Sequence, residues 1–280
     1  MASAEQLLPV GFSLAAALCW GTSDFSGGYA SRRSDAFLVT LLSHAGGFVL
    51  MLTFALAAHS DLPSRASQLW AAAAGLSGGV ALIIFYRALS QGMGLTAPVA
   101  AVIGAAIPAA VTMSTQGMPG VFAITGFLLA GFGIWLISRP DGSGDRRGIL
   151  MAVLAGIGFS GFFLCISRTG ASSVLWSSVF SRIASLLLVG AIVVGRGRWG
   201  PLRRSDATVA LVAGCLDVSG TAVFIRAAQT GRLDSVVVLS SLYPALTVLL
   251  ARFILKEHFT PWKTAGIVAA LLAVPLIALQ

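Results

Sequence analysis

Charge is what this chain has least of. Only 10% of its 280 residues are Asp, Glu, Lys or Arg, where a soluble domain carries about 25%. So few charges cannot cover a water-facing surface, which excludes a soluble enzyme, a nucleic-acid reader and a disordered scaffold. Cysteine is scarce too. Cys19, Cys165 and Cys215 each fall within an apolar run, forming neither a disulfide framework nor a metal-ligand spacing. No basic residue precedes Arg32, so the first apolar run lacks the basic leader of a signal peptide and reads as a retained span. No Gly-x-x-x-x-Gly-Lys-Ser/Thr segment occurs, which argues against nucleotide hydrolysis. The three histidines, His44, His59 and His258, are dispersed, so no cofactor or metal is expected. The net charge of +8 does not restore a nucleic-acid partner, because the basic residues sit in short clusters between apolar runs.

Apolar residues are abundant instead: 57% of the chain, with a mean hydropathy of +0.91. A helix crosses a bilayer core of ~30 Å with ~20 apolar residues. Ten such runs are read at 9–29, 36–58, 69–90, 95–115, 121–138, 148–167, 173–194, 207–229, 233–255 and 262–279. None alternates like a barrel strand, so the predicted fold is an all-α membrane protein with ten transmembrane helices. If the spans alternate, one face receives eleven Lys and Arg, in clusters such as Arg32-Arg33, Arg146-Arg147, Arg196 to Arg204 and Lys256 to Lys263. The other receives three: Arg65, Arg168 and Arg232. Cationic loops stay in the cytoplasm. The expected location is therefore the cell (inner) membrane, with both termini on the outer face. Trp70, Trp135, Trp176 and Trp262 fall near span ends, where aromatic belts sit; Trp20 falls mid-span.

The chain repeats itself. Phe85-Tyr86-Arg87-Ala88 and Phe224-Ile225-Arg226-Ala227 each end a span. Each is followed by a span interrupted by proline, at Pro98 and Pro108 or at Pro244, then by a glycine-containing one. A five-helix unit has an odd number of crossings, so its second copy is inverted. The predicted units are residues 1–140 and 148–280. Inverted repeats belong to secondary transporters, with the site near mid-membrane between the halves.

Trp20-Gly21-Thr22-Ser23, Ser240-Ser241-Leu242-Tyr243-Pro244, Leu255-Lys256-Glu257-His258 and Gly266 resemble the ten-helix, EamA-type branch of the drug/metabolite transporter superfamily. Gln116-Gly117-Met118-Pro119 stands where that pattern has a Gly-Glu pair. The resemblance implies export or exchange of small metabolites, often amino acids. It implies a cavity lined by the first four helices of each half, and Tyr243 joins the candidate substrate-binding residues.

Charges within spans are costly and face a cavity or a partner. Arg182 and Asp217 lie near mid-depth of the seventh and eighth spans. Two readings stand: a substrate site, with arginine for a carboxylate and aspartate for an ammonium group, or a structural ion pair. Asp24 lies one turn after Trp20 on the same helical face. It suits an amine-bearing ligand or a proton-carrying role, against the alternative of pairing with Arg32 or Arg33. Arg87 and Arg226 hold matching places in the repeat and are candidate gate or coupling residues, as is Asp24; the alternative for the arginines is snorkelling to the interface. His44 reads as a hydrogen-bonded interior residue or a proton relay. The competing functions are a lipid flippase and an intramembrane enzyme, the latter disfavoured by the lack of clustered catalytic groups. The expected partners are a small-molecule substrate and the bilayer. A monomer is the default, with a homodimer as the alternative.

Overall fold

The computed structural model describes residues 4–91, 93–137, 146–170, 173–197, 199–256 and 260–278. Among them are eleven helices and no strand. They are α1 (Ala4–Ser31), α2 (Ala36–Ala57), α3 (Arg65–Gln91), α4 (Met93–Gln116), α5 (Val121–Ile137), α6 (Arg146–Ser167), α7 (Val174–Gly195), α8 (Arg204–Thr230), α9 (Leu233–Ser240), α10 (Tyr243–Ile254) and α11 (Pro261–Ala278). Arg139, Arg198 and the Glu257-His258 pair of the family signature lie outside the described residues.

Each helix begins and ends near its expected boundary, except that the ninth span is two helices. The break falls just before Pro244. That residue has no N–H to return to the Ser240 carbonyl, and α9 closes with a tight turn, Ser241 N–H to Val237 O at 2.9 Å and Leu242 N–H to Leu239 O at 3.2 Å. The chain restarts as α10 with Pro244 in its first turn, where a missing N–H costs nothing. The span α4 behaves differently, continuing as one helix through Pro98 and Pro108. Side-chain caps fix two other starts: Asp35 accepts from the backbone of Phe37 and Leu38, and Ser173 from Trp176.

The packing obeys the inverted repeat. The pair α1–α8 is matched by α6–α3, α2–α8 by α7–α3, and α1 against α9 and α10 by α6 against α4. The pairs α2–α7 and α5–α11 map onto themselves. Glycines make these approaches possible, because lipid offers no hydrophobic drive and close van der Waals contact must replace it. A Cβ at Gly214 on α8 would run into the Ser43 carbonyl of α2, and one at Gly75 on α3 into the Ser181 carbonyl of α7. The two contacts are each other's image under exchange of halves. Gly126 and Gly133 seat α5 against Ala273, Ile277, Gly266 and Ala270 of α11. Leu18, Val49, Leu128, Leu187 and Leu271 are exposed around the bundle, the surface a bilayer covers.

Loops tie the halves together at both ends. At one end the Asp35 N–H donates to Pro201 O (2.9 Å) and Ser34 donates to Asp206 (2.8 Å). There Arg196 reaches Asp35 at 3.4 Å and lies 3.7 Å from the Phe37 ring centroid. At the opposite end Ser67 donates to Thr169 O (2.9 Å) and the Trp176 indole to Ser60 O (2.8 Å).

Candidate functional site

Between the halves lies a half-open cavity with about 50 Å³ of room for the centres of water-sized molecules, several times what one water needs. It is lined from α1 (Trp20, Asp24), α2 (His44), α3, α6, α7 (Ser181, Arg182, Ser185), α8 (Asp217, Thr221) and α10 (Tyr243). Among the described residues α5 and α11 supply no lining, as the family resemblance implies, and α4 supplies none either, which departs from that expectation.

Arg182 organises the polar side. Its Nη2 is 2.7 Å from an Asp217 carboxylate oxygen and donates to Thr221 Oγ1 at 3.0 Å. Its Nη1 meets His44 Nδ1 at 2.8 Å. An imidazole nitrogen accepts from guanidinium only through its lone pair, so His44 carries its proton on Nε2. Thr221 in turn donates to the Asp217 carbonyl (3.1 Å), which also accepts from the Trp20 indole (3.1 Å). The cluster therefore joins α1, α2, α7 and α8. The ion pair is buried, with side chains 6% and 15% exposed, so each charge depends on the other for compensation.

Asp24 is different. It is 7% exposed and lines the cavity, yet no hydrogen bond or ion pair to its carboxylate is found among the described residues. Arg33 does not reach it; that guanidinium bonds the Tyr29 hydroxyl and covers its ring. Around Asp24 stand Tyr86 and Tyr243, both within reach of its charge. Both phenol oxygens are buried without a hydrogen-bond partner, as are His44 Nε2 and Arg182 Nε. Tyr86 is held by a close approach of α1, since a Cβ at Gly27 would overlap its ring.

The other wall is apolar. It consists of Leu82, Phe159, Phe162 and Phe163, with Gly75, Gly78 and Gly79 leaving space on α3. The aromatic rings pack around Trp20, with centroid separations of 5.5 Å to Phe224, 5.6 Å to Phe163 and 6.4 Å to Phe162.

The structure thus gathers Trp20, Asp24, Arg182, Asp217 and Tyr243 around one space. It sets Arg87 and Arg226 elsewhere: both are exposed near helix ends, and Arg226 bonds Gln229 at 3.3 Å. The sequence reading passed over Tyr86 and the phenylalanines of α6, and left His44 outside its candidate site. A signal for His44 exists. The register that superposes Ser43 on Ser181 also superposes His44 on Arg182, so these two contacting residues hold matching positions in the two halves.

The EamA-like transporter family model matches residues 146–279. The second half of the chain is therefore similar to the EamA-like transporters, a family of membrane transporters of small molecules. No curated protein matches the chain. Among solved structures, one titled only as the crystal structure of a protein superposes with a TM-score of 0.75 at 18% identity. The match covers 100% of this chain and 99% of that one, a likeness of fold along the whole length. The cavity between the halves is accordingly the candidate functional site of this EamA-like protein.

Proposed function

We propose that this EamA-like protein is a secondary transporter that exports or exchanges small metabolites, amino acids or related compounds, by alternating access. The observation that carries the reading is the cavity between inverted halves, with a buried, unpaired carboxylate at Asp24 facing into it. A buried charge without a partner is costly, and a site that meets a cationic substrate group repays that cost on binding. Trp20, Asp24 and Tyr243 are the proposed substrate contacts. Arg182 and Asp217 form an adjoining pair within the second half; His44 of the first half meets Arg182 across the interface, and this contact repacks as access alternates.

In this reading residues 1–140 and 148–280 are the two rocking units. The break between α9 and α10, beside Tyr243, is a natural bending point. The protein works in the cell (inner) membrane as a monomer, with the end that holds Asp35 and Arg196 in the cytoplasm and both termini outward.

The test is counterflow in proteoliposomes with labelled amino acids, sugars, nucleosides and organic cations. Accumulation of one class above empty liposomes, lost in Asp24→Asn, supports the reading. Folded protein that accumulates none of them overturns it.

A further inference from the structure

The walls of the cavity carry unequal chemistry, and the inequality narrows the cargo. Four side chains there bear or share charge: Asp24, Asp217, Arg182 and His44. The guanidinium is already committed. Its terminal nitrogens are held by Asp217, Thr221 and His44, leaving only Nε without a partner. Arginine recognises carboxylates through two parallel hydrogen bonds. A substrate carboxylate would have to displace Asp217 and strand it, buried and uncompensated. Two carboxyl groups against one guanidinium leave one without a cationic partner, and it is Asp24.

The repeat sharpens the point. The register that sets Phe85 on Phe224 sets Asp217 on Gly78. Where one half presents an acid, the other presents an empty position. A ligand in this space meets Asp24 and the unpartnered phenol oxygen of Tyr243 at one end. At its other end it meets Leu82, Phe159 and Phe162. The phenol oxygen accepts from N–H groups, and Trp20 offers a ring face one turn from the carboxylate.

We propose that the cargo is a monovalent organic ammonium with an apolar body and no carboxylate: an amine, not the corresponding amino acid. The ammonium sits at Asp24 beside Tyr243, and the apolar body lies against α3 and α6. This proposal rests on the transport reading above.

The experiment compares matched pairs on the full-length protein in nanodiscs by calorimetry: phenethylamine with phenylalanine, and isoamylamine with leucine. The amine is expected to bind at least about tenfold more tightly than its amino acid. Asp24→Asn is expected to weaken the amine by about ten- to a hundredfold, and Asp24→Glu to recover part of the loss. Equal or tighter binding of the amino acids overturns the proposal, as does an amine preference that survives Asp24→Asn. The wild-type ratio decides the matter even where a variant fails to fold. If neither member of any pair binds, the ammonium proposal fails. Counterflow then separates the two ideas: accumulation of sugars, nucleosides or organic anions keeps the transporter reading, and its absence removes that as well. A trimethylated phenethylammonium, which cannot cross as a neutral base, serves as the flux probe.

Discussion

Removing either partner of the Arg182–Asp217 pair tests how far the buried cluster depends on mutual charge compensation. The pair lies in a buried cluster at 2.7 Å. Arg182→Gln leaves the Asp217 carboxylate without its cation, and breaking a buried pair from one side costs about 3–5 kcal/mol. Asp217→Asn leaves the guanidinium with Thr221 and His44 only, which do not neutralise it, so a loss of similar size is expected. The double variant Arg182→Gln/Asp217→Asn carries no unpaired charge. It is expected to recover, so that the coupling between the two sites exceeds about 2 kcal/mol. The assay is thermal or denaturant unfolding in one detergent, read for wild type, both singles and the double. Additive losses would refute the reasoning, because they would mean that neither charge depends on the other. Counterflow on the same four proteins separates roles: a stable double variant that transports at the wild-type rate makes the pair a tie and nothing more.

Three further outcomes follow from the geometry. Gly214→Ala drives a methyl group into the Ser43 carbonyl of α2, and overpacking of this kind costs about 1–3 kcal/mol, read as a lower melting temperature; Gly131→Ala, which meets nothing within 4 Å, is the unaffected control. Arg87→Gln and Arg226→Gln are expected to leave ligand affinity within about twofold while changing counterflow rate, and a shift in affinity would place them in the site instead of at a gate. Trp20→Phe keeps a ring but deletes the indole N–H that bonds the Asp217 carbonyl; a loss of about 1 kcal/mol is expected, and an unchanged unfolding midpoint would show that bond to be worth nothing.

The spans were legible because a bilayer imposes length and apolarity on its helices; among the described residues seven helices meet both, and Val121–Leu136 and Thr264–Ala273 are shorter apolar ones. The inverted relation was legible from Phe85 to Ala88 against Phe224 to Ala227, since an odd number of crossings leaves no other orientation. The break in the ninth span was only half legible. Pro244 marks a lost hydrogen bond, but Pro98 and Pro108 mark the same loss in α4, which stays whole. What differs is the turn at Ser241 and Leu242, and a propensity argument does not separate these cases. In the site, charges stood out because they are rare in apolar spans. Tyr86, Phe159, Phe162 and Phe163 did not, because an aromatic residue in such a span looks the same whether it faces a cavity, a helix or lipid. His44 was hidden for a related reason: a lone histidine in a helix declares no partner, and its contact with Arg182 exists only once α2 and α7 meet.

In an inverted repeat, exchanging the halves turns an inward-open state into an outward-open one, so identical halves would make the two states equal in energy. Any bias must come from positions where the halves differ. One such position lies at the loop ties. The register that sets Phe85 on Phe224 also sets Ser67 on Asp206. At one end of the bundle Ser67 donates to the Thr169 carbonyl; at the other Ser34 donates to the buried Asp206 carboxylate. The first is a neutral hydrogen bond, worth about 0.5–1.5 kcal/mol net, and the second is charge-assisted, worth about 1.5–3. The difference, about 1 kcal/mol, corresponds to roughly a fivefold preference for keeping the Asp206 end closed. Asp206→Ser makes the two ties alike. It is expected to raise the labelling rate of a cysteine placed at Leu82 in the cavity from the Asp206 side by about that factor, relative to labelling from the other side. An unchanged ratio of the two rates would mean that α1 and α8 move as one body, and that the bias is set elsewhere.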